Sequence, residues 1–426
     1  MAPSVPEILT TEVAVIGGGI IGLGIAWEAQ RAGHTVTVID PAPASGATYA
    51  AAGMLAPVSE LHYQEDELLA LTLASAARWP GFVASLPATL ATGFNTSPTL
   101  VVGGDPADRV ALADLRDVQL AHGLEVTQLT IREARAQEPL IGPQISCAYK
   151  VEQDHQVDPR AMAAALRAAL QEAGSAGVAR ATVAHATDSE GAAPTFLEVS
   201  AVGLLHEEPS DSFSRVTGVE LADGRRLLAR EVIVANALGA PGLAGLPEGL
   251  VLPIRPVYGD ILRLCVPEHL RPLTTATIRG IVRGLPVYIV PREDGTVVIG
   301  ASSREDGSAG VSAGGVHQLL RDAQVLVPAV AELELLETTA RARPGTPDNA
   351  PLLGRVAGTD GKDLPGLIIA TGFFRHGVLL TAIAAHITRQ LLANITDLAW
   401  TAFRPDRFSP ALHAHTSSAS TTKEQP

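Results

Sequence analysis

The sequence predicts an α/β fold in which a parallel-sheet domain is interleaved with an α+β domain built on an antiparallel sheet. Three observations predict it. A strand, a glycine turn, a helix and a second strand follow one another over Thr10–Asp40; a β-rich stretch with hairpin signals occupies Ile254–Gly300; and a buried strand leads into an apolar helix over Leu367–Leu392. The first is a Rossmann-like unit, the second an antiparallel sheet, and the third a return to the first domain. A chain of 426 residues is long enough for two or three domain-sized units. The nucleotide domain is placed at 8–92, 154–242 and 340–410, the second domain at 93–153 and 243–339, and a disordered tail at 411–426.

Glu12–Ile16 is a short β-branched run, and Gly17, Gly19 and Gly22 fit G-x-G-x-x-G. Gly17 permits the tight turn, Gly19 lets backbone approach a pyrophosphate, and Gly22 lets the helix pack close to the strand. The helix starts near Ile20 and stops at Gly33, a residue suited to the left-handed C′ position. Its N-terminus offers free N–H groups and a positive dipole end to phosphate. Thr35–Ile39 is the second strand, and Asp40 stands where an acid binds the ribose of an adenine nucleotide. The spacing is that of a dinucleotide site; a glycine-rich turn in another α/β fold is the alternative.

After Asp40, the small residues Ala42–Pro57 read as backbone running against a large planar ligand, or as a mobile loop. Glu65–Leu86 reads as one helix, Thr99–Gly103 as a strand, Asp105–Gly123 and Thr130–Glu138 as helices, and 139–150 as irregular up to a closing strand. Asp158 caps and Pro159 opens a helix to Ala173. Arg180–Pro194 reads as a surface insertion. Phe196–Leu205, Arg215–Leu221 and Glu231–Ala235 are predicted strands, as are Ile254–Leu264, Val287–Val290 and Val297–Gly300, the last two joined by a hairpin at Asp294–Gly295. His317–Val327 and Gly377–Leu392 are predicted helices around the strand Leu367–Ala370, and His413–Pro426 a disordered tail.

Composition excludes several classes. The apolar fraction of 46% fits a packed enzyme, and 31 basic against 45 acidic residues give a net charge of −14, no footprint for nucleic acid. Any anion site must therefore be a local cationic pocket. Cys147 and Cys265 lack metal-ligand spacing and read as two buried thiols in a reducing compartment. No secretory signal or membrane span is apparent, which places the protein in the cytoplasm and off the membrane, and no metal is expected.

Three patches carry candidate chemistry. Tyr288 lies mid-strand in LPVYIVPREDG, where a tyrosine is more often core. Arg343 precedes the turn Pro344–Gly345, where an arginine is more often a solvated charge. Gly366–Ile387 runs from a buried strand through Thr371–Gly372 and Arg375 to Gly377, aiming a second helix N-terminus at an anion.

In that order behind GGGIIGL, the segments AAAGMLAP, YIVPREDG, RPGTPDNAPLLG and ATGFFRHGVLL resemble the glycine oxidases of thiamine biosynthesis, within the D-amino-acid-oxidase-like flavoproteins. The resemblance runs from about Val13 to Leu392. It implies a Rossmann-like FAD-binding domain and a substrate domain. FAD is implied to be noncovalent, with Gly17, Gly19, Ile20, Ile21 and Gly22 on the pyrophosphate, Asp40 and Pro41 by the ribose, and Val202 by the adenine. Ala47, Thr48, Ala52, Gly53 and Met54, and the segment Gly372, Phe373, Phe374, Arg375, His376, Gly377, Val378 and Leu379, would line the flavin. Arg343 would bind the substrate carboxylate, with Tyr288 donating to it and Arg375 beside the amine; Met54 would border the substrate.

The chain departs from the family pattern at Phe373 in place of histidine, His376 in place of asparagine, Pro286–Val287 before Tyr288, and Ser303 in place of a bulkier apolar residue. The implied reaction oxidises glycine, sarcosine or small D-amino acids with dioxygen, giving a keto acid, ammonia and hydrogen peroxide, and supplies the imine for the thiazole of thiamine. The thiazole-forming enzymes are then implied partners, and a homo-oligomer stays open. The alternatives are a sarcosine, D-proline or other D-amino-acid oxidase or dehydrogenase, and a flavin-holding subunit of a larger complex.

Overall fold

The computed structural model describes residues 7–181, 191–358 and 361–409. The chain forms two compact units, one drawn from Met1–Ser45, Ala163–Arg255 and Pro344–Pro426, the other from Gly46–Met162 and Pro256–Arg343. The chain thus changes unit at 45/46, 162/163, 255/256 and 343/344, against the sequence-based 92/93, 153/154, 242/243 and 339/340.

The nucleotide unit is built on a parallel sheet in the order Phe196–Leu197, Val36–Ile39, Ile8–Ile16, Arg226–Val234, Leu367–Thr371. Ile8–Ile16 and Arg226–Val234 pair from Ile8↔Arg226 to Ile16↔Val234. Val13–Ile16 are buried throughout, as central parallel strands covered on both faces must be. The helices Ile20–Arg31 and Thr381–Leu392 pack together, and Arg389 reaches Glu28 across them at 3.3 Å. Antiparallel strands Leu352–Gly354, Val216–Leu221 and Ala201–His206 extend the sheet.

The second unit carries an eight-stranded sheet in the order Glu334–Gly345, Arg255–Cys265, Thr296–Gly300, Leu285–Pro291, Thr277–Val282, Thr99–Gly103, Cys147–Val151, Thr127–Leu129. It is mainly antiparallel; Thr277–Val282 and Thr99–Gly103 run parallel. Alternation sends Leu262, Ile289 and Ile299 to one face, packed under the helix Ala313–Leu326, and Ile261, Val290, Val298 and Tyr288 to the other.

Several expectations are corrected. Glu65–Leu86 is two helices, Asp66–Ala76 and Trp79–Ala84. Pro80 cannot donate to the Ala76 carbonyl, and Arg78 Nη1 caps the first helix by donating to Ala74 O at 2.8 Å. The helix opened by Pro159 runs to Ala181, beyond Ala173, and takes in the start of the expected insertion, most of which lies outside the described residues. Phe196–Leu205 is two strands, Phe196–Leu197 and Ala201–His206. Arg343 is not in a loop but in the strand Glu334–Gly345, and the last helix begins at Thr381, four residues after Gly377. Cys147 is buried but Cys265 only half-buried. The expected tail lies outside the described residues.

Candidate active site

The glycine turn is built as its spacing implies. Gly17 has φ +110°, and a Cβ there would stand 2.5 Å from Ala235 O. A Cβ on Gly22 would stand 1.9 Å from Gly17 O and 3.3 Å from Val15 Cγ1, so helix and strand meet only because neither glycine has a side chain. Gly19 is the extended N-cap, and no acid occupies the first turn, which begins with the buried Ile20 and Ile21. With no acid there, the positive end of the helix dipole suits a diphosphate. Asp40 is itself part of the turn: Oδ2 accepts from Gly18 N–H at 2.6 Å and Oδ1 from Ala42 N–H at 2.8 Å. A carboxylate has lone pairs beyond these two bonds, so it can still receive a ribose hydroxyl. Pro41 and Val202 are exposed, and the Val202 carbonyl accepts from Ala244 N–H at 3.2 Å.

In the same unit, Gly372 has φ +72° and a Cβ there would lie 2.7 Å from Thr346 Cγ2. Phe374 is held at φ +45°, a region few non-glycine residues enter. Phe374–His376 form a 3₁₀ turn, with Arg375 5.7 Å over the Phe374 ring. Phe373, His376 and Leu379 are buried. Gly377–Leu380 are turns before the helix at Thr381, whose hydroxyl donates to Gly377 O at 3.0 Å.

In the second unit, four neighbouring strands bring Arg343 and Tyr288 over one face. Tyr288 pairs with Gly300 and Gly300 with Ile261, two residues from Gly259. A Cβ on Gly300 would stand 2.4 Å from Tyr288 Oη, and a Cβ on Gly259 2.5 Å from Arg343 Nη2. The two glycines are thus the floor on which the phenol and the guanidinium lie. Arg343 makes one long bond, Nη1 to Ser302 O at 3.5 Å, and no ion pair among the described residues. The Tyr288 hydroxyl forms no hydrogen bond among them either. Burial pushes this phenol up to about 12, against the pull of the Arg343 charge, so it remains a donor at neutral pH. A half-buried guanidinium without an acid, beside a phenol without an acceptor, is complementary to a carboxylate.

The segment Ala47–Met54 is pinned from the same face. Arg292 donates from Nη2 to Ala52 O and from Nη1 to Gln156 Oε1 at 3.1 Å and Val157 O at 3.2 Å. Its burial lowers it to about 10, still a cation at neutral pH. Gly53, at φ +80°, leaves no room for a Cβ beside Val157 O, and Met54 pairs with Gln156. Arg160 bonds Tyr49 O at 2.8 Å, forks onto Glu337 at 2.9 and 3.0 Å, and stacks 3.5 Å over the Tyr49 ring. Sequence reasoning missed Arg160 and Arg292; their signals were Pro159–Arg160 and Pro291–Arg292 at element ends. It also missed both floor glycines. Ser303 is exposed.

Among the described residues no cluster could hold a metal ion and no helix is long and apolar enough to cross a membrane. A parallel sheet with a side-chain-free glycine turn and a terminal acid is the architecture of dinucleotide-binding proteins. Residues 12–391 match the family described as FAD dependent oxidoreductase (DAO). The chain belongs to that family, and its cofactor is FAD. It is 30% identical to a glycine oxidase from Geobacillus kaustophilus over 94% of this chain and 97% of that protein. A crystal structure of glycine oxidase from Geobacillus kaustophilus superimposes with TM-score 0.78 at 27% identity, covering 94% of this chain and 99% of that one. A bifunctional protein ThiO/ThiG from Trichormus variabilis is 28% identical over 91% of this chain. The chain spans about half the length of such bifunctional relatives, 53% in that case.

Proposed function

We propose that the protein is an FAD-dependent oxidase of small amino acids whose substrate is glycine: glycine, dioxygen and water give glyoxylate, ammonia and hydrogen peroxide. The observation that carries this reading is the pair Arg343 and Tyr288, among the described residues a cation with no acidic partner and a hydroxyl with no hydrogen bond, aligned on glycines. Arg343 would hold the carboxylate through two N–H bonds and Tyr288 would add one, fixing the α carbon's orientation, a recognised source of rate. When bound, FAD supplies the acceptor for the hydride lost from the α carbon. Gly17, Gly19, Ile20, Ile21, Gly22 and Asp40 would hold it without a covalent bond, and the Arg292-pinned segment Ala52–Met54 is proposed to line its ring. The resemblance to proteins named glycine oxidase and ThiO/ThiG supports glycine as substrate and the thiazole-forming enzymes of thiamine biosynthesis as partners.

The purified protein is expected to be yellow, to release intact FAD on acid precipitation, and to form peroxide with glycine and sarcosine, more slowly with D-alanine, and not with L-alanine. D-proline preferred strongly over glycine would move it to a D-amino-acid oxidase; peroxide from none of the panel would sink the oxidase reading.

A further inference from the structure

The sheet face that carries the clamp bears another arginine to which the proposed reaction gives no part. Arg279 is the cross-strand partner of Tyr288, so its side chain leaves the same face. Nη1 donates to Glu60 Oε1 at 2.6 Å, and this is its one hydrogen bond among the described residues; Nε and Nη2 have none. Both side chains are largely buried, 17% and 10% exposed for Arg279 and Glu60.

Glu60 is held in place rather than drawn in from a loose loop. Two residues before it, Val58 O accepts from Gln119 Nε2 at 2.8 Å, and Val58 N–H and Ser59 N–H donate to the buried Asp154 carboxylate at 3.0 and 2.9 Å. The charges that bear on the Tyr288 hydroxyl are Arg343, Glu60, Arg279 and Arg292. Arg292 is committed to Ala52, Gln156 and Val157. Arg343 lies over Gly259, three strands from the strand of Arg279, about 14 Å laterally at the usual spacing. An extended arginine side chain and a short two-headed acid are together long enough to span a distance of that order.

We propose that Arg279 is the receptor for a second carboxylate at the far end of the substrate pocket and that Glu60 controls it. Paired with Arg279, Glu60 repels a second carboxylate and confines the site to monocarboxylic amino acids. An apolar substituent is disfavoured there too, because it would desolvate an ion pair. With Glu60 neutral, Arg279 is free to take the second acid group, and amino dicarboxylates become substrates. The inference rests on the reading of Arg343 and Tyr288 as the carboxylate clamp.

The test uses the FAD-loaded enzyme and two acids that lack an amine and so cannot be oxidised, methoxyacetate and diglycolate, with affinities read by titration calorimetry. The wild-type protein is expected to bind methoxyacetate at least as tightly as diglycolate. Glu60→Gln is expected to reverse the order, with at least a tenfold preference for diglycolate, and Glu60→Gln combined with Arg279→Gln to erase that preference. In turnover, the kcat/KM ratio of N-carboxymethylglycine to glycine should rise at least tenfold in Glu60→Gln. An unreversed order in folded, FAD-loaded Glu60→Gln overturns the proposal. Should that variant fail to fold, Arg279→Gln alone decides: it is expected to weaken diglycolate at least threefold relative to methoxyacetate, and an unchanged ratio overturns the proposal. Methoxyacetate binding that Arg343→Ala leaves intact would instead refute the clamp, and with it this extension.

Discussion

Gly259→Ala separates the clamp from the fold. The added Cβ would stand 2.5, 2.6 and 2.8 Å from Arg343 Nη2, Nη1 and Cζ, where ordinary contact is about 3.5 Å. The far end of a flexible side chain, not backbone, meets the new methyl, so the guanidinium shifts by about 1 Å and the sheet does not. Gly259 has no positive φ, so alanine fits its backbone, and the loss of glycine's freedom in the unfolded chain favours folding by about 0.4–1 kcal/mol. The cost falls on the substrate. A displaced charged hydrogen bond is worth about 1.5–3 kcal/mol, which at 1.4 kcal/mol per tenfold raises KM about 10- to 150-fold. The assay is peroxide release against glycine concentration, with FAD content and melting temperature measured on the same preparation. A KM within about twofold of wild type in a folded, FAD-loaded variant would refute Arg343 as the carboxylate's partner. A large drop in melting temperature would refute the claim that the guanidinium is the part that yields.

Gly22→Ala places a Cβ 1.9 Å from Gly17 O, so it should yield a colourless protein deficient in FAD, checked by the ratio of visible to protein absorbance. Arg343→Ala should raise KM for glycine far more than it disturbs FAD content, by about 2–3 kcal/mol or more, and Tyr288→Phe should produce a smaller loss of the same kind. With the phenol up at about 12, wild-type activity should show no alkaline limb from Tyr288 below about pH 11, read from a pH profile of KM. Burial pushes Asp154 up to about 6 from an ordinary 3.8, against the N–H groups of Val58 and Ser59. The native state then holds this proton more tightly than the unfolded chain. The resulting stability is complete below about pH 4 and lost as pH rises through about 6, a change of about 3 kcal/mol. Denaturant unfolding of wild type against Asp154→Asn from pH 4 to 7 should show that loss; a flat difference would disprove it.

Much of the nucleotide unit was legible because its signals are local. Gly17, Gly22 and Gly33 announce backbone that side chains cannot occupy, and all three are where the pattern puts them. In the second unit Asp158 announces a helix start, and its Oδ1 accepts from Arg160 and Ala161 N–H at 2.8 and 3.3 Å. Where several short-range signals competed, as between Ala76 and Trp79 or Gly377 and Thr381, boundaries moved by a few residues. The proposed clamp is carried by the family resemblance: read alone, Tyr288 is a core tyrosine and Arg343 a solvated charge. Arg343 reads as a loop arginine because the strand Glu334–Gly345 has no clean alternation, lying at the edge of its sheet with Leu335 and Leu336 exposed.

Local spacing in the chain is enough to mark the glycine turn proposed to cradle a diphosphate and the class of fold around it, since each depends on residues close to one another. That Gly259 and Gly300 lie beneath Arg343 and Tyr288, that Arg292 pins Ala52, and that Glu60 meets an arginine 219 residues away is legible in no local segment. Backbone conformation is governed by neighbours along the chain. The space and charge around a buried side chain are governed instead by which strands lie side by side, and that pairing is fixed by cores that form only when distant segments come together.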